Sequence, residues 1–266
     1  MSESRTTPRS GTSGWMHAGW RGTFYPRDLR PQDRLAFYAA RFGSVEVDTS
    51  FYRLPARRSA LAWSRSVPAN FVFTVKASRR VTHVARLAAP DLELTALLRS
   101  LEPLGERIGP ILFQLPPRWP CNTARLAAFL PRLSRDFRYA FEFPDPSWWS
   151  AAVYEPLARY RAAFCIRDAG TGPSPMEITT DFVYARLGGP GTPSQGGYGA
   201  RALDDWAHRF SRWSAQGRAV YCYFGNHESC HGLRDAAELA SRLASPARSA
   251  SLPMGPERRS AHAHVA

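Results

Sequence analysis

Short apolar runs alternate with segments of helical spacing along most of this chain, and this alternation limits the fold more than any other feature. Eight runs have the length and apolar content of strands, at residues 11–15, 44–51, 71–77, 110–115, 139–143, 162–167, 182–187 and 219–224. Most segments between them repeat apolar residues every three or four positions, as at Leu203, Trp206, Phe210 and Trp213. Only residues 169–181, rich in Gly and Pro, lack this pattern. Strands separated by helices pair in parallel, so the sequence predicts an α/β fold.

Eight strand and helix units in 266 residues suit a single (β/α)8 barrel of the TIM type, a fold that takes about 250 residues. An open, Rossmann-like sheet is the alternative, but neither a GxGxxG nor a GxxxxGKS/T phosphate-binding motif occurs. Residues 11–245 are predicted to form the barrel domain. Residues 1–10 and 246–266 are polar, rich in Ser, Pro and Arg, and without apolar periodicity, so both are predicted to be disordered tails.

The composition limits the cellular location and the binding partners that we expect for this protein. No segment reaches the roughly 18 consecutive apolar residues of a membrane span, and residues 1–10 lack the apolar run of a signal peptide, so we expect a cytoplasmic protein without a membrane partner. Four cysteines without a CxxC pair indicate neither a disulfide framework nor a zinc knuckle. The formal net charge of +13 favours anionic partners, with nucleic acid as one option, although the arginines are scattered in runs of two at most.

Polar side chains recur where the predicted strands end. In a barrel of parallel strands these ends meet at one face, where the active sites of such barrels lie. One explanation is a salt-bridged layer that closes the barrel. The other is a pocket, since a purely structural barrel fills such positions mainly with Val, Ile and Leu. The residues predicted to line the pocket or bind a ligand are Trp15, Glu46, Tyr52, Lys76, Gln114, Glu142, Asp168, Arg186 and Asn226.

Lys76 ends the third predicted strand, in FVFTVKAS, and is the only lysine among 35 Lys and Arg residues. A lysine among apolar and cationic neighbours can lose its proton and act as a base or as a Schiff-base nucleophile, which arginine cannot do. It can also anchor an anionic ligand or a carboxylate, or be purely structural. Glu142 and Glu46 as acid/base groups, and His83 at the rim, complete the predicted catalytic set.

For two further groups of residues, a structural role is the alternative to metal or ligand binding. The segment NHESCH, residues 226–231, spaces His227 and His231 four apart, but glycines bracket this short loop, and we predict no metal site. No motif assigns a cofactor. The aromatic side chains of the first two strand-to-helix regions, Trp15 and Tyr52 among them, either stack on a sugar or base or form core under a loop.

The segments GTSGW, VEVDTSFYRLP, FVFTVKASRRVTH, LFQLPP, FEFPDPSW, VYARLGG and YCYFGNHES resemble the successive strand motifs of domain-of-unknown-function family 72, the YecE-like proteins. The resemblance covers residues 11–244 and implies a (β/α)8 barrel with a pocket at the C-terminal face of the strands, but no particular reaction. The matching positions are Trp15, Glu46, Phe51, Tyr52, Lys76, Thr82, His83, Gln114, Pro116, Glu142, Ser147, Trp148, Arg186 and Asn226. Pro144, Gly188 and Gly225 stand where the family usually has Arg, His and Asn, and Asp48 stands where Asn is usual.

Three functional hypotheses follow from these residues. The first is an acid/base enzyme that acts on a small anionic molecule, phosphorylated or sugar-like, held by Lys76 and Arg186. The second is a non-catalytic barrel that binds nucleic acid through its positive charge. The third is a degenerate barrel with altered or weakened activity, because Pro144, Gly188 and Gly225 remove polar groups from one side of the pocket.

Overall fold

In the computed structural model, eight parallel strands form the wall of a nearly closed barrel, which confirms the predicted fold. The structure describes residues 7–88, 90–170, 172–190, 196–226 and 230–244. The two-residue β7 lies antiparallel on β6, and the remaining strands form the barrel wall. The strands are β1 (Arg9–Thr12), β2 (Ser44–Val47), β3 (Val72–Lys76), β4 (Ile108–Gln114), β5 (Tyr139–Glu142), β6 (Ala162–Gly170), β7 (Gly172–Pro173), β8 (Phe182–Pro190) and β9 (Ala219–Phe224).

Closure of the barrel between β1 and β2 depends on a glycine and a tyrosine. A β-carbon at Gly11 would lie 2.2 Å from the carbonyl oxygen of Ser44, so only glycine permits this approach of the two strands. The Tyr38 hydroxyl fills part of the gap and donates to the same carbonyl at 3.3 Å. Nearer the mouth, the N–H of Gly14 donates to the carbonyl of Glu46 at 2.7 Å. Closure therefore brings the segment after β1 directly beside the end of β2.

Helices cover the outside of the barrel. In α6, the predicted apolar face of Leu203, Trp206, Phe210 and Trp213 is buried. No α-helix occupies the described residues between β6 and β8, as the Gly- and Pro-rich composition there predicts. The helices are α1 (Arg34–Ala39), α2 (Arg57–Arg65), α3 (Asp91–Leu101), α4 (Thr123–Phe129), α5 (Ala151–Arg159), α6 (Ala200–Ala215) and α7 (His231–Ala244).

The hydrophobic core has two layers. The larger layer lies between the strands and the helices and contains most of the buried aromatic side chains. The smaller layer fills the barrel interior with Leu112, Ala140, Ala163, Cys165, Phe182, Tyr184, Tyr221 and Tyr223. Because alternate residues of a strand point to opposite faces, the interior residues two positions further along these strands form the next level toward the mouth. That next level carries the charged groups.

Some boundaries differ from the prediction. β1 begins at Arg9, inside the predicted N-terminal tail, and Arg9 pairs with Tyr221. Backbone groups of polar residues pair as well as those of apolar ones, which composition does not reveal. β2 ends at Val47, and Thr49–Phe51 forms a short 3-10 helix instead of continuing the strand. The predicted tail at 246–266 lies outside the described residues. No described helix is long and apolar enough to cross a membrane.

Candidate functional site

Arg186 bridges two buried carboxylates at the C-terminal end of the barrel. Its Nη1 lies 2.6 Å from Oε2 of Glu142 on β5, and its Nη2 lies 2.9 Å from Oε1 of Glu46 on β2. The two glutamate side chains are 3% and 0% exposed. Burial alone would lower the pKa of Arg186, but the two carboxylates hold it well above its usual value. The predicted strand ends thus converge, and each buried charge has a partner.

Glu46 is fully occupied by its neighbours. Its Oε1 accepts a hydrogen bond from Ser13 Oγ at 2.6 Å, and its Oε2 accepts one from the Tyr184 hydroxyl at 2.6 Å. The same hydroxyl lies 3.1 Å from Thr74 Oγ1. With both oxygens bonded and no solvent exposure, Glu46 fixes the position of Arg186, and its carboxylate is closed to a ligand. The contacts of Glu46 therefore correspond to a salt-bridged layer that closes the barrel, the first of the two explanations for the polar strand ends.

Gln114 and Arg167 complete the surroundings of Glu142. The amide of Gln114 donates to both carboxylate oxygens at 3.0 Å, and Nε of Arg167 lies 3.5 Å from Oε1. Burial alone would raise the pKa of Glu142, but the charge and hydrogen bond of Arg186, the bond from Gln114 and the charge of Lys76 bring it below its usual value. Glu142 is therefore ionised at neutral pH.

Lys76 lies beside this network without a direct bond to it. Its Nζ is 4.1 Å from the centre of the Phe51 ring. Within the part of the chain that the structure describes, no carboxylate oxygen lies within 4.0 Å of this amine. Burial, and then the charge of Arg186, lower the pKa of Lys76. The carboxylates of Glu46, Glu142 and Asp48 raise it, but by less. Lys76 thus faces an aromatic ring, not a carboxylate.

His83 shares the Phe51 ring with Lys76. It lies in a π-helical turn, Arg80–Val84, soon after β3, and its imidazole packs edge-on against Phe51 with ring centres 4.9 Å apart. Its Nδ1 is 2.9 Å from the Thr82 hydroxyl. Burial and the neighbouring cations lower the pKa of His83, so the imidazole is neutral at pH 7. The structure therefore brings His83 to the rim near Lys76, as the sequence predicts.

Asp168 does not join this network. Its neighbour Arg167 approaches Glu142, so alternation along β6 directs Asp168 to the other side of the strand. There Oδ2 accepts hydrogen bonds from the Tyr198 hydroxyl at 3.0 Å and from Trp206 Nε1 at 3.3 Å. The carboxylate ties β6 to α6 and the segment before it. Asp168 thus lies apart from the other predicted pocket residues, and its ligand-binding role stays a prediction.

Asn226 is also engaged away from the network. It is 2% exposed, and its Nδ2 donates to Asp235 of α7 at 3.3 Å. Its Oδ1 has no hydrogen-bond partner among the described residues. The following residues 227–229, which include His227 of the NHESCH segment, lie outside the described residues. Among the described side chains, no three of His, Cys, Asp or Glu are placed to hold a metal ion.

The two predicted aromatic ligand residues occupy different surroundings. Tyr52 is 75% exposed and touches Phe51 edge-on, with ring centres 5.0 Å apart, so it lies at the rim. Trp15 is buried and packs edge-to-face on Trp63 of α2 at 5.2 Å. It lines a cavity between α1 and α2. Trp15 therefore lies away from the Arg186 network, packed against α2 in the wall of this cavity.

Sequence reasoning missed two groups that hold Glu46, the Ser13 and Tyr184 hydroxyls. A signal for Tyr184 exists, because it precedes Arg186 by two positions in VYARL and residues two apart share a strand face. Ser13 follows the last paired residue of β1 and carries no charge, so no pattern distinguishes it from the other serines near the N-terminus.

The glycines that depart from the family pattern have unlike surroundings. A β-carbon at Gly188 would lie 2.6 Å from Cβ of Ala169, so β6 and β8 are packed too closely there for a side chain. A β-carbon at Gly225 meets no described atom within 4 Å. A β-carbon at 225 therefore meets no described neighbour, whereas a side chain at 188 requires the two strands to separate.

Comparison with known proteins identifies a family without a known activity. The model of the family described as "Protein of unknown function DUF72" matches residues 9–260. The UPF0759 proteins YunF of Bacillus subtilis (strain 168) and YecE of Escherichia coli (strain K12) are 30% and 32% identical to this chain over 161 and 119 residues, which are 58% and 44% of it. These matches cover 56% and 44% of the relatives, so the chain spans about half the length of the curated relatives it matches.

Solved structures of the same family share the barrel. A DUF72 family protein from Thermotoga maritima MSB8 superposes with a TM-score of 0.79 at 27% identity, over 89% of this chain and 99% of that one. One from Enterococcus faecalis V583 superposes with a TM-score of 0.75 at 19% identity, over 90% and 96%, and shows the fold alone. Because the family match extends over nearly all of the sequence, the chain belongs to the DUF72 family of proteins of unknown function.

Proposed function

We propose that the protein binds a small anionic molecule at the C-terminal mouth of the barrel and that Lys76 contacts it. The observation that supports this most is the position of the amine. It is partly buried over the Phe51 ring, and no carboxylate of the described residues pairs with it. A buried charge without a partner is unfavourable. An anionic group of a ligand supplies that partner.

The pairing of charges at the mouth supports the same proposal. Lys76, Arg167 and Arg186 lie near the carboxylates of Glu46, Glu142 and Asp48, and Arg186 already binds the first two. The Arg167 side chain is 32% exposed and makes only a long contact of 3.5 Å with Glu142. Lys76 and Arg167 are therefore the cations left to bind a ligand. A phosphate or carboxylate group accepts hydrogen bonds from both kinds of donor.

The proposed reaction class is acid/base chemistry on a phosphorylated or sugar-like molecule. Glu142 is the proposed base: Gln114 and Arg186 hold its carboxylate in one orientation, and Oε1, which Arg167 approaches only at 3.5 Å, is the oxygen that takes the proton. His83, neutral at the rim, exchanges protons with solvent or ligand. Glu46 is closed to the ligand, so its proposed role changes from acid/base group to a positioning residue for Arg186.

The single lysine makes this proposal directly testable. Reductive methylation with ¹³C-formaldehyde labels Lys76 and the α-amino group, and a Lys76→Arg variant identifies which NMR signal belongs to Lys76. Glucose 6-phosphate, inorganic phosphate and citrate are then titrated against the labelled protein at millimolar concentration, with uncharged glucose as control. We expect at least one anion to shift the Lys76 signal and to raise its pKa, because an ion pair favours the charged amine. A Lys76 signal that responds to none of these anions would contradict the proposal.

A further inference from the structure

A cavity of about 590 Å³ lies between α1, α2 and the loops that follow β1 and β2. Leu35 of α1, Trp63 of α2 and Trp15 contribute apolar side chains to its wall. Met16 also lines the cavity and is 45% exposed. Cavities of this size and apolar character bind small organic molecules. None of the groups assigned to the barrel-mouth site in the proposed function lines it.

Among the described residues that line this cavity, Asp48 is the only one with a carboxylate. Although the chain has a net charge of +13, no positively charged Lys or Arg side chain is among these described lining residues. Gly14, at φ +83°, admits the carboxylate, since a β-carbon there would lie 3.0 Å from Asp48 Oδ1. No other described residue donates a hydrogen bond to the Asp48 side chain.

The positive charges around Asp48 neutralise its carboxylate only in part. Burial first, and then the charge of Glu46, raise the pKa of Asp48. His17, which also lines the cavity, and Lys76 offset this only in part. A cation placed in the cavity therefore gains from the uncompensated carboxylate.

We propose that this cavity binds a small organic cation, an ammonium group attached to an aromatic or branched apolar body. The ammonium pairs with Asp48. The apolar body packs on Leu35 and on the indoles of Trp15 and Trp63, whose faces also attract a cation. Anions are disfavoured, because the described lining residues include no Lys or Arg and the Asp48 carboxylate repels them. The site is distinct from the proposed anion site and does not depend on it.

Three probes with one apolar body and different head groups test the proposal: phenethylammonium, 2-phenylethanol and 3-phenylpropionate. Isothermal titration on the full chain is expected to show binding of phenethylammonium, about tenfold weaker binding of the alcohol, as fits the loss of one charge-assisted contact, and no binding of the carboxylate. Equal affinity for the ammonium and the alcohol, or no binding of any probe, would overturn the proposal.

Two variants place the site. Asp48→Asn keeps the size of the side chain and is expected to weaken phenethylammonium binding about tenfold without changing the affinity for the alcohol. Ala62→Trp adds bulk from an exposed position of the cavity lining and is expected to abolish binding of both probes. Asp205→Asn, which removes an exposed carboxylate of α6, is the matched control and leaves binding unchanged. Lys76→Met retains phenethylammonium binding, so failure of the anion proposal is distinguishable from failure of this one. Wild-type affinity in Asp48→Asn refutes the assignment.

Discussion

Lys76 and Phe51 form a cation–π contact, with Nζ 4.1 Å from the ring centre, in a place where a purely structural lysine would meet a carboxylate. Of the three carboxylates whose charge acts on this amine, Glu46 and Glu142 are bound by Arg186, and Asp48 makes no ion pair with Lys76. Burial and Arg186 both disfavour the charged amine and lower its pKa. The charged amine therefore opposes folding in the unliganded protein, as expected if the proposed anion is its partner.

Lys76→Met is expected to stabilise the protein without ligand. The folded-state pKa of Lys76 lies below its ordinary value of 10.5, so the unfolded chain holds this proton more tightly, and the charged lysine opposes folding at neutral pH. We expect the free energy of unfolding at pH 7 to rise by about 1 kcal/mol, measured by urea denaturation. Arg65→Met, at an exposed position of α2, is the control. A less stable Lys76→Met variant would show that the lysine supports the fold.

Phe51→Leu is expected to lower the pKa of Lys76 further. The ring favours the charged amine, and a cation–π contact is worth about 0.5–1 kcal/mol. The pH titration of the ¹³C-methylated Lys76 signal measures this change. Tyr52→Leu removes the adjacent aromatic ring, which is exposed and is not part of the contact, and should leave the titration unchanged. An unchanged midpoint in Phe51→Leu would mean that the ring does not hold the amine.

The barrel fold and the position of the site at the C-terminal ends of the strands could be predicted from the sequence, because both depend on local residue patterns. Alternating strands and helices specify parallel pairing, and parallel strands bring their ends together. Glu46, Gln114, Glu142 and Arg186 meet for that reason, although they come from four separate segments.

The direction of individual side chains beyond the strand ends could not be predicted. The pairing of β6 with β8 shifts register between Asp168 and Ala169. That a polar residue ends a strand does not tell on which face of the sheet its side chain lies. The choice of partner for Lys76 depends on Phe51, which lies in a 3-10 helix that the sequence predicts as strand. Distances between segments far apart in the chain decide both outcomes, and no periodicity encodes them.

Glu142→Gln is expected to destabilise the protein by about 3 kcal/mol, because it leaves the buried charge of Arg186 with one partner fewer. The lowered pKa of Glu142 also makes a pH prediction. Its stabilising contribution is complete above the unfolded value near 4.5 and is lost as the pH falls through the folded value. Urea unfolding between pH 7 and pH 3 should show a smaller acid loss in the variant. Glu155→Gln, exposed on α5, is the control, and equal acid losses would contradict the prediction.

Asp168→Asn is expected to affect stability and not ligand binding. The change weakens the hydrogen bonds from Tyr198 and Trp206, and we expect a loss of about 1–2 kcal/mol in the free energy of unfolding. The shift of the ¹³C-methylated Lys76 signal by its anionic ligand should remain as in the wild type. If the variant keeps its stability but loses the anion response, Asp168 belongs to the ligand site after all.

Salt dependence separates the small-anion proposal from nucleic-acid binding. Each phosphate neutralised on DNA releases counterions, so a site that covers six phosphates gives a slope of about −5 in a plot of log K against log salt, whereas a single phosphorylated metabolite gives a far shallower one. We expect short DNA and RNA duplexes, followed by fluorescence anisotropy, to bind only weakly through the net charge of +13 and to show no dependence on Lys76. Anion binding at the mouth should have the shallow slope and should be lost in Lys76→Met. Tight duplex binding that Lys76→Met abolishes would instead place nucleic acid at the barrel mouth, because one lysine among 35 Lys and Arg residues matters to a duplex only if it lies in the contact.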